Sequence, residues 1–281
     1  MAEFTPMMQQ YLQTKEEYKD CILFYRLGDF YEMFFEDAEL VSKELELTLT
    51  GKNCGMEERA PMCGIPYHAV EGYLNKLVAN GHKVAICEQV EDPKLAKGLV
   101  KREVIRIVTP GTNLDMQALD ESKNNYIMCI VYLADRYGVS IADVSTGDYY
   151  VTEVDSERKL FDEITKFSPS EIICNESFYM SGVDIEDLRH RLKITIYALE
   201  TWYFGDELAE TTLLTHFKVK SLEALGLADY DCGMIAAGAL LKYLYETQKN
   251  DLNNISVIHP YSTGKYMIID SSTRRNLELV E

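Results

Sequence analysis

The sequence predicts an α/β fold arranged as two domains. Its 281 residues suffice for about two domains of roughly 100–200 residues each. In the first part, short apolar runs alternate with amphipathic segments, which is typical of a compact α/β domain. From Tyr126 onward, apolar stretches separated by short turns predict an antiparallel meander followed by helices. We place the first domain at 1–109, a linker at 110–122 and the second domain at 123–255.

The first helix and strand carry clear start signals. Thr5 suits an N-cap and Pro6 suits the first helical position, so a helix is predicted from there to about Tyr18. The apolar run from Cys21 to Arg26 predicts a buried strand, which Gly28 interrupts.

The residues after that glycine predict a second helix. Asp29 suits an N-cap, and Glu32, three residues later, completes a capping-box pattern. Apolar side chains at helical spacing support it, namely Tyr31, Phe34, Phe35, Ala38, Val41 and Leu45. Phe30 is then the first helical residue and lies beside this apolar stripe.

The remaining elements follow from periodicity and turn signals. In the first domain we predict an extended segment at 47–50, a polar loop at 51–60, a helix from His68 to Ala79, and strands at 83–90 and 103–108. In the second we predict strands at 126–133, 138–144, 148–154, 171–174 and 194–199, and helices at 157–167, 207–218 and 232–248.

The charge balance limits the kinds of partner that the protein is expected to bind. The net charge of −18 argues against a nucleic-acid binder, because such proteins usually present a basic face. The first 109 residues hold 13 basic against 18 acidic residues, so the excess acid lies mainly in the second part. A local basic run stands at Lys94, Lys97, Lys101, Arg102 and Arg106. It is either a solvated face or a strip that contacts phosphates.

The cysteines and the apolar runs indicate the cellular compartment. Seven cysteines without a CxxC pair argue for the reduced thiols of a cytosol, and against a disulfide frame or a zinc site. The N-terminus lacks the basic and apolar segments of a signal peptide, and no apolar run is long enough for a membrane helix. We expect no membrane partner.

The run Leu23–Phe35 carries the sharpest functional signal. Six of the twelve residues from Phe24 to Phe35 are aromatic, more than one short segment readily buries. Phe30 is the ring expected to point outward, where it would serve as a wedge between stacked base pairs. Glu32 would hydrogen bond a base edge. The alternative is structural, with Phe30 as a core ring and Glu32 as a capping acid.

Several segments resemble the bacterial DNA mismatch repair family MutS, in order and with matching spacing. They are FYRLGDFYE at 24–32, PMCGIPYHAV at 61–70, VAICEQ at 84–89, RIVTPGT at 106–112 and TRRNLE at 273–278. The resemblance implies a mixed-sheet mismatch-binding domain followed by a ribonuclease-H-like connector domain. Residues 256–281 would begin the family's core domain.

The resemblance also implies roles for individual residues. The family's Phe-x-Glu motif falls on Phe30 and Glu32, so Phe30 would stack on the mispaired base and Glu32 would hydrogen bond to it. Lys52, Gln89 and Arg102 stand at positions similar to family DNA contacts. The implied partners are mismatched double-stranded DNA, MutL through the connector domain, and a second copy in the full-length homodimer.

The family's ATPase motif is missing from the sequence. A phosphate loop reads GxxxxGK followed by Ser or Thr, whereas Gly264-Lys265 lacks both the upstream glycine and the following hydroxyl. We therefore expect an N-terminal fragment without enzymatic activity or cofactor, which binds DNA weakly alone. ATP and Mg would serve only the full-length family.

Two other functions stay open on the residues alone. Asp143 near the end of a strand would suit a metal-dependent nuclease, although no partner carboxylates have the right spacing. A protein-interaction module without a direct DNA role would suit the acidic second part.

Overall fold

A computed structural model describes residues 3–91, 98–114 and 124–263. They form two compact units. The first contains the described residues up to 114, and the second contains most of the described residues from 124 onward. The tail segment 273–278 and the basic residues Lys94 and Lys97 lie outside the described residues.

The first unit is built on a six-stranded mixed sheet. Its elements are α1 Pro6–Glu17, β1 Ile22–Leu27, β2 Phe30–Phe34, α2 Phe35–Glu44, β3 Thr50–Lys52, β4 Ala60–Pro66, α3 Val70–Ala79, β5 Val84–Gln89 and β6 Arg102–Val108. The strand order is β3-β4-β2-β1-β5-β6. The β1–β5 pair is parallel and the other pairs are antiparallel, which confirms the predicted mixed α/β sheet.

Local signals located several elements correctly. The Thr5 hydroxyl accepts a hydrogen bond from the Met8 amide at 3.4 Å, and Pro6 opens α1 as predicted. The predicted strand at Cys21–Arg26, the helix ending at Ala79 and both later strands of this domain are confirmed.

The predicted helix start at Phe30 was wrong. Phe30–Phe34 is a strand, and the helix begins at Phe35. Gly28, with φ of +57°, forms a two-residue hairpin turn with Asp29, which suits a glycine at the first turn position. Tyr31 and Met33 are buried in alternation, so the period is two residues rather than 3.6. Glu32 is accordingly a strand residue, not a capping-box acid.

The polar loop predicted at 51–60 is shorter than expected. Strand β3 takes its first residues, and β4 begins at Ala60 and pairs with both β3 and β2. Two prolines and a glycine within β4 hide its strand character, because these residues are depleted in strands.

Asp37 ties three elements of the first unit together. Its carboxylate accepts a hydrogen bond from the Leu23 amide of β1 at 2.9 Å and one from the Lys15 ammonium of α1 at 2.9 Å. Asp37 itself lies in the first turn of α2 and is 7% exposed. A buried carboxylate with two donors is stabilising only while both partners remain.

The segment after β6 closes the first unit. The Thr112 hydroxyl accepts a hydrogen bond from the Thr109 amide at 3.0 Å and shares one with the Thr109 hydroxyl at 2.8 Å, as the predicted turn requires. Asn113 is buried and donates to Asn75 of α3 at 2.9 Å. The start of the predicted linker thus packs on the first unit, and residues 115–123 lie outside the described part of the chain.

The second unit carries its own six-stranded mixed sheet. Its elements are β7 Tyr126–Leu133, β8 Arg136–Asp143, β9 Asp148–Val154, α4 Glu157–Phe167, β10 Glu171–Cys174, α5 Ile185–His190, β11 Thr195–Ala198, α6 Asp206–Phe217, α7 Asp231–Gln248 and β12 His259–Pro260. The strand order is β11-β10-β7-β8-β9-β12. The β7–β8–β9 meander is confirmed as antiparallel, and β10, β11 and β12 add parallel pairs.

Alternation along β7 separates two apolar cores in the second unit. Ile127 and Cys129 pack with α6 and α7, whereas Met128 and Ile130 pack with α4 and α5. Helices on both faces of a mixed sheet that begins with a meander are what a ribonuclease-H-like domain requires. Across 3–91, 98–114 and 124–263, no helix is long and apolar enough to span a membrane.

All seven cysteines are buried and free of disulfides. Burial raises the pKa of Cys63 to about 11 and that of Cys21 and Cys174 to about 12. Raised thiol pKa values leave almost no thiolate at neutral pH, so these side chains act as small apolar groups.

Replacing Asp37 by Ala is expected to destabilise the first unit by about 2 kcal/mol, because the Leu23 amide and the Lys15 ammonium lose their acceptor. Native-state hydrogen exchange of the β1 amides measures this free energy. Asp20→Ala is the control. Its side chain is 66% exposed and pairs with Lys83, so its loss is expected to cost less than about 0.5 kcal/mol. Equal effects of the two substitutions would contradict the bracing role of Asp37.

Candidate nucleic-acid interface

Phe30 is the exposed ring of the aromatic run. It is 46% exposed at the first position of β2, whereas Phe24, Tyr25, Tyr31 and Phe34 are at most 5% exposed. The remaining ring of the run, Phe35, is partly buried against α1. The outward orientation predicted for Phe30 is confirmed. It arises because Phe30 is the first strand residue after a hairpin turn, not the first residue of a helix.

The strand register brings all five predicted site residues to one face of the sheet. Directly opposed residues of neighbouring strands point to the same side. The pairs on this face include Leu27–Phe30, Tyr25–Glu32, Glu32–Gly64, Lys52–Ala60, Cys87–Tyr25 and Gln89–Arg102. The middle of the face is covered by α1 through Met8 and Tyr11. Lys52 and Arg102 belong to the two edge strands.

Glu32 and Lys52 form an ion pair beside the exposed ring. The Lys52 ammonium lies 2.5 Å from Oε2 of Glu32, and their side chains are 31% and 16% exposed respectively. Gly64 stands opposite Glu32, and a Cβ there would lie 3.6 Å from Cγ of Glu32 and 3.9 Å from Cδ1 of Phe30. The missing side chain leaves this side of both residues open. The face thus offers an exposed apolar ring beside a neutralised carboxylate.

Arg102 is held by the domain itself. Its guanidinium donates to the Arg26 carbonyl at 2.8 Å, to the Val100 carbonyl at 2.9 Å and to Oε1 of Gln10 at 3.0 Å. Gln89, paired with Arg102, is partly buried. DNA contacts by Gln89 and Arg102 stay predictions.

The described part of the basic run does not form one strip. A β-bulge shifts the β5–β6 register between Ile86 and Cys87. Arg102 therefore lies on the Phe30 face, whereas Arg106 is opposite Ile86, on the other face, and donates to the Thr112 carbonyl at 2.8 Å. Lys101 pairs with its exposed neighbour Glu103.

Two further residues at the hairpin tip escaped the sequence analysis. Tyr67 is 42% exposed just after β4, and the Arg26 guanidinium lies 3.8 Å from its ring centroid. The FYRLGDF pattern would have revealed Arg26 only if Gly28-Asp29 had been interpreted as a hairpin turn, because that register sets Arg26 opposite Tyr31, and no signal in that pattern concerns Tyr67.

Asp143 of the second unit has a structural role. Its buried carboxylate accepts hydrogen bonds from the amides of Asn125, Ser145 and Thr146 at 3.1, 2.8 and 3.3 Å, and from the Ser145 hydroxyl. It therefore caps the turn between β8 and β9. Among the residues that the structure describes, no group of three or more His, Cys, Asp or Glu side chains could hold a metal ion. The geometry gives the nuclease hypothesis no support.

Asp143→Ala is expected to destabilise the second unit by about 2–3 kcal/mol, because the turn amides lose a charged acceptor. Trp202, the only tryptophan of the chain, belongs to this unit, so its fluorescence during urea unfolding reports the loss. Asp155→Ala, at an exposed pair with Lys159, is the control and is expected to change little. Magnesium-dependent DNA cleavage that Asp143→Asn abolishes would instead restore the nuclease hypothesis.

Comparisons with known proteins cover both units. The family model described as MutS domain I matches residues 5–117, and the one described as MutS domain II matches residues 125–256. The DNA mismatch repair protein MutS of Lachnoclostridium phytofermentans is 66% identical over the whole chain, and that of Acetivibrio thermocellus is 53% identical. The chain spans 30% and 32% of the length of these two relatives.

Proposed function

The chain belongs to the MutS family, from which it contains domains I and II, and we propose that its first domain recognises mispaired or unpaired bases in double-stranded DNA. The observation that carries this proposal is the exposure of Phe30, the one ring of a buried aromatic cluster that stands at a hairpin edge. The proposal concerns the activity of the longer relatives, because this chain spans about 30% of their length.

Phe30 would act as a wedge. An apolar side chain that enters between base pairs must unstack them, at a cost of about a few kcal/mol per step. The cost is lowest where a mispair has already weakened stacking and pairing. Ring insertion is therefore easiest at the defect, and the contact energy of the ring selects the mispair without reading a sequence.

Glu32 would hydrogen bond the displaced base while Lys52 offsets its charge. A lone carboxylate is repelled by the phosphates that line a groove, whereas the Glu32–Lys52 pair is close to neutral. In the complex, Lys52 is proposed to face the phosphates and to hold the Glu32 side chain in place. Gln89 and Arg102 are proposed as weaker contacts on the other flank of the same face.

The remaining functional assignments are proposals for the longer protein. We propose that these two domains carry no catalytic step and hold no cofactor, and that ATP and Mg act elsewhere in the full-length family. The second domain would dock MutL, and the full-length protein would form a homodimer. The site of action would be the bacterial cytoplasm, at the nucleoid.

A second candidate function is a protein-interaction module without a DNA role. The observation that favours it is the exposure of large apolar side chains in the second unit: Met180 is 87% exposed, and Trp202 is 46% exposed and stacks on Tyr203 with 3.9 Å between ring centroids. Aromatic and methionine side chains of this kind are enriched at protein interfaces. Removal of the first unit with full retention of partner binding, and no loss of mismatch binding by the longer protein, would favour this function.

Phe30→Ala tests the main proposal. The chain is joined to the remaining C-terminal part of its 66% identical relative to give a full-length fusion. Its binding to matched and mismatched duplexes is then measured at one salt concentration. The substitution is expected to lower the preference for the mismatch by about tenfold or more, because the stacking contact is worth roughly 1–3 kcal/mol per base.

The control is Leu49→Ala, which removes a side chain of equal exposure, 47%, in the same unit. It should leave both affinities unchanged. A mismatch preference that survives Phe30→Ala would remove Phe30 from the recognition mechanism, even though the family assignment would stand.

The Glu32–Lys52 pair is tested by a double-mutant cycle in the full-length fusion. Lys52→Met is expected to weaken binding to both duplexes, because it leaves Glu32 facing the phosphates uncompensated. Glu32→Gln in the same molecule should recover part of the loss, with a coupling of about 1 kcal/mol. Affinities measured at several salt concentrations give both quantities. Strict additivity would show that the two side chains act independently on DNA.

A further inference from the structure

We infer that Arg26 is a positioning residue, which braces the hairpin turn carrying Phe30 from the opposite face of the sheet. The inference rests on the proposed function of Phe30 and deepens it, because it says what holds the wedge in place. Arg26 is paired with Tyr31 in the hairpin, so its side chain lies on the face away from Phe30 and Glu32.

The Arg26 guanidinium group has three partners around the turn. Its Nε donates to the Gly28 carbonyl at 2.5 Å. Its Cζ lies 3.8 Å from the Tyr67 ring centroid, and one terminal nitrogen lies 3.3 Å from Oε1 of Glu88. Arg26 therefore joins the turn, the end of β4 and the end of β5.

These contacts matter to the turn because the side of Gly28 where a Cβ would stand faces open space. A Cβ placed on Gly28 would meet no atom within 4 Å. The Gly28 carbonyl is held by Arg26, and the Asp29 carbonyl accepts from the Tyr67 amide at 2.9 Å. Tyr67 is thus tied to the turn through its backbone and to Arg26 through its ring.

Glu88 completes the brace on the buried side. Its Oε1 accepts a hydrogen bond from the Tyr31 hydroxyl, and Tyr31 is the residue that follows Phe30. On the other face, Arg102 donates to the Arg26 carbonyl at 2.8 Å. The backbone on both sides of Phe30 is therefore fixed before any DNA arrives.

A fixed backbone matters for a wedge more than for an ordinary contact. The ring must keep its position against the tendency of the base stack to close. A rigid turn loses no conformational entropy when DNA binds. A loose turn must become ordered on binding, and the free energy lost in ordering it reduces the net gain from stacking. The Arg26 side chain is only 17% exposed, which suits an internal brace better than a phosphate contact.

The test is Arg26→Lys in the full-length fusion. Lysine keeps the charge but lacks the planar fork that bonds the carbonyl and stacks on the ring. We expect the mismatch preference to fall about tenfold, while the affinity for matched DNA, its salt slope and the thermal midpoint stay the same. Arg158→Lys, at an exposed position of α4, is the matched control and should change none of these values.

A cycle with Phe30→Ala separates positioning from direct contact. In the Phe30→Ala background, Arg26→Lys should have no further effect on the preference, because the brace acts only through the ring. A fall in affinity for both duplexes with a smaller salt slope would identify Arg26 as a phosphate contact and overturn the proposal. An unchanged preference in Arg26→Lys alone would also overturn it. Failure of the proposed function is recognised separately, by a preference that survives Phe30→Ala.

Glu88→Gln supplies a second variant in case Arg26→Lys disturbs folding. Glutamine retains an oxygen acceptor for the Tyr31 hydroxyl but removes the charge that orients the guanidinium. A loss of about threefold in mismatch preference at an unchanged thermal midpoint would support the brace. No change in preference would count against it.

Discussion

The pairing of β1 with β2 across the turn at Gly28 and Asp29 is the constraint on which the candidate interface depends. This register buries Tyr31 against one core and turns Phe30 and Glu32 to the other face. The same register sets Glu32 beside Gly64 and within reach of Lys52, and it brings Arg26 under the turn. A shift of one residue would exchange the two faces, burying Phe30 and exposing Tyr31.

Charge explains how an acidic protein can present this face to DNA. The chain carries a net charge of −18, so its overall electrostatic field repels the duplex rather than drawing the protein to it. In the proposed complex, the Glu32–Lys52 pair would instead remove the local repulsion at the point of contact. Under this proposal, apolar stacking by Phe30 would supply selectivity that does not rely on net charge, and the backbone grip would have to come from other parts of the longer protein.

Local signals in the sequence predicted much of the fold. Thr5 and Pro6 located the first helix, and apolar runs separated by short turns located the meander from Tyr126. The segment after Gly28 was misassigned because Tyr31, Phe34 and Phe35 fit a helical stripe as well as a strand followed by a helix. The turn at Gly28-Asp29 decides between the two, because it pairs β2 with β1. The spacing of the apolar residues does not show that pairing. The split of Arg102 and Arg106 between faces follows from a bulge that sequence spacing does not encode.

The most direct measurement places a fluorescent ring at position 30. Trp202 is the only tryptophan of these 281 residues, so Trp202→Phe combined with Phe30→Trp leaves a single reporter in this part of the full-length fusion, once any tryptophans of the joined C-terminal part are replaced by phenylalanine. Stacking of an indole on a base quenches its emission. The account predicts strong quenching on binding a mismatched duplex and little on binding a matched duplex of the same affinity range. Equal quenching by both duplexes, or none by either while the mismatch is still preferred, would contradict the claim that this ring is the wedge.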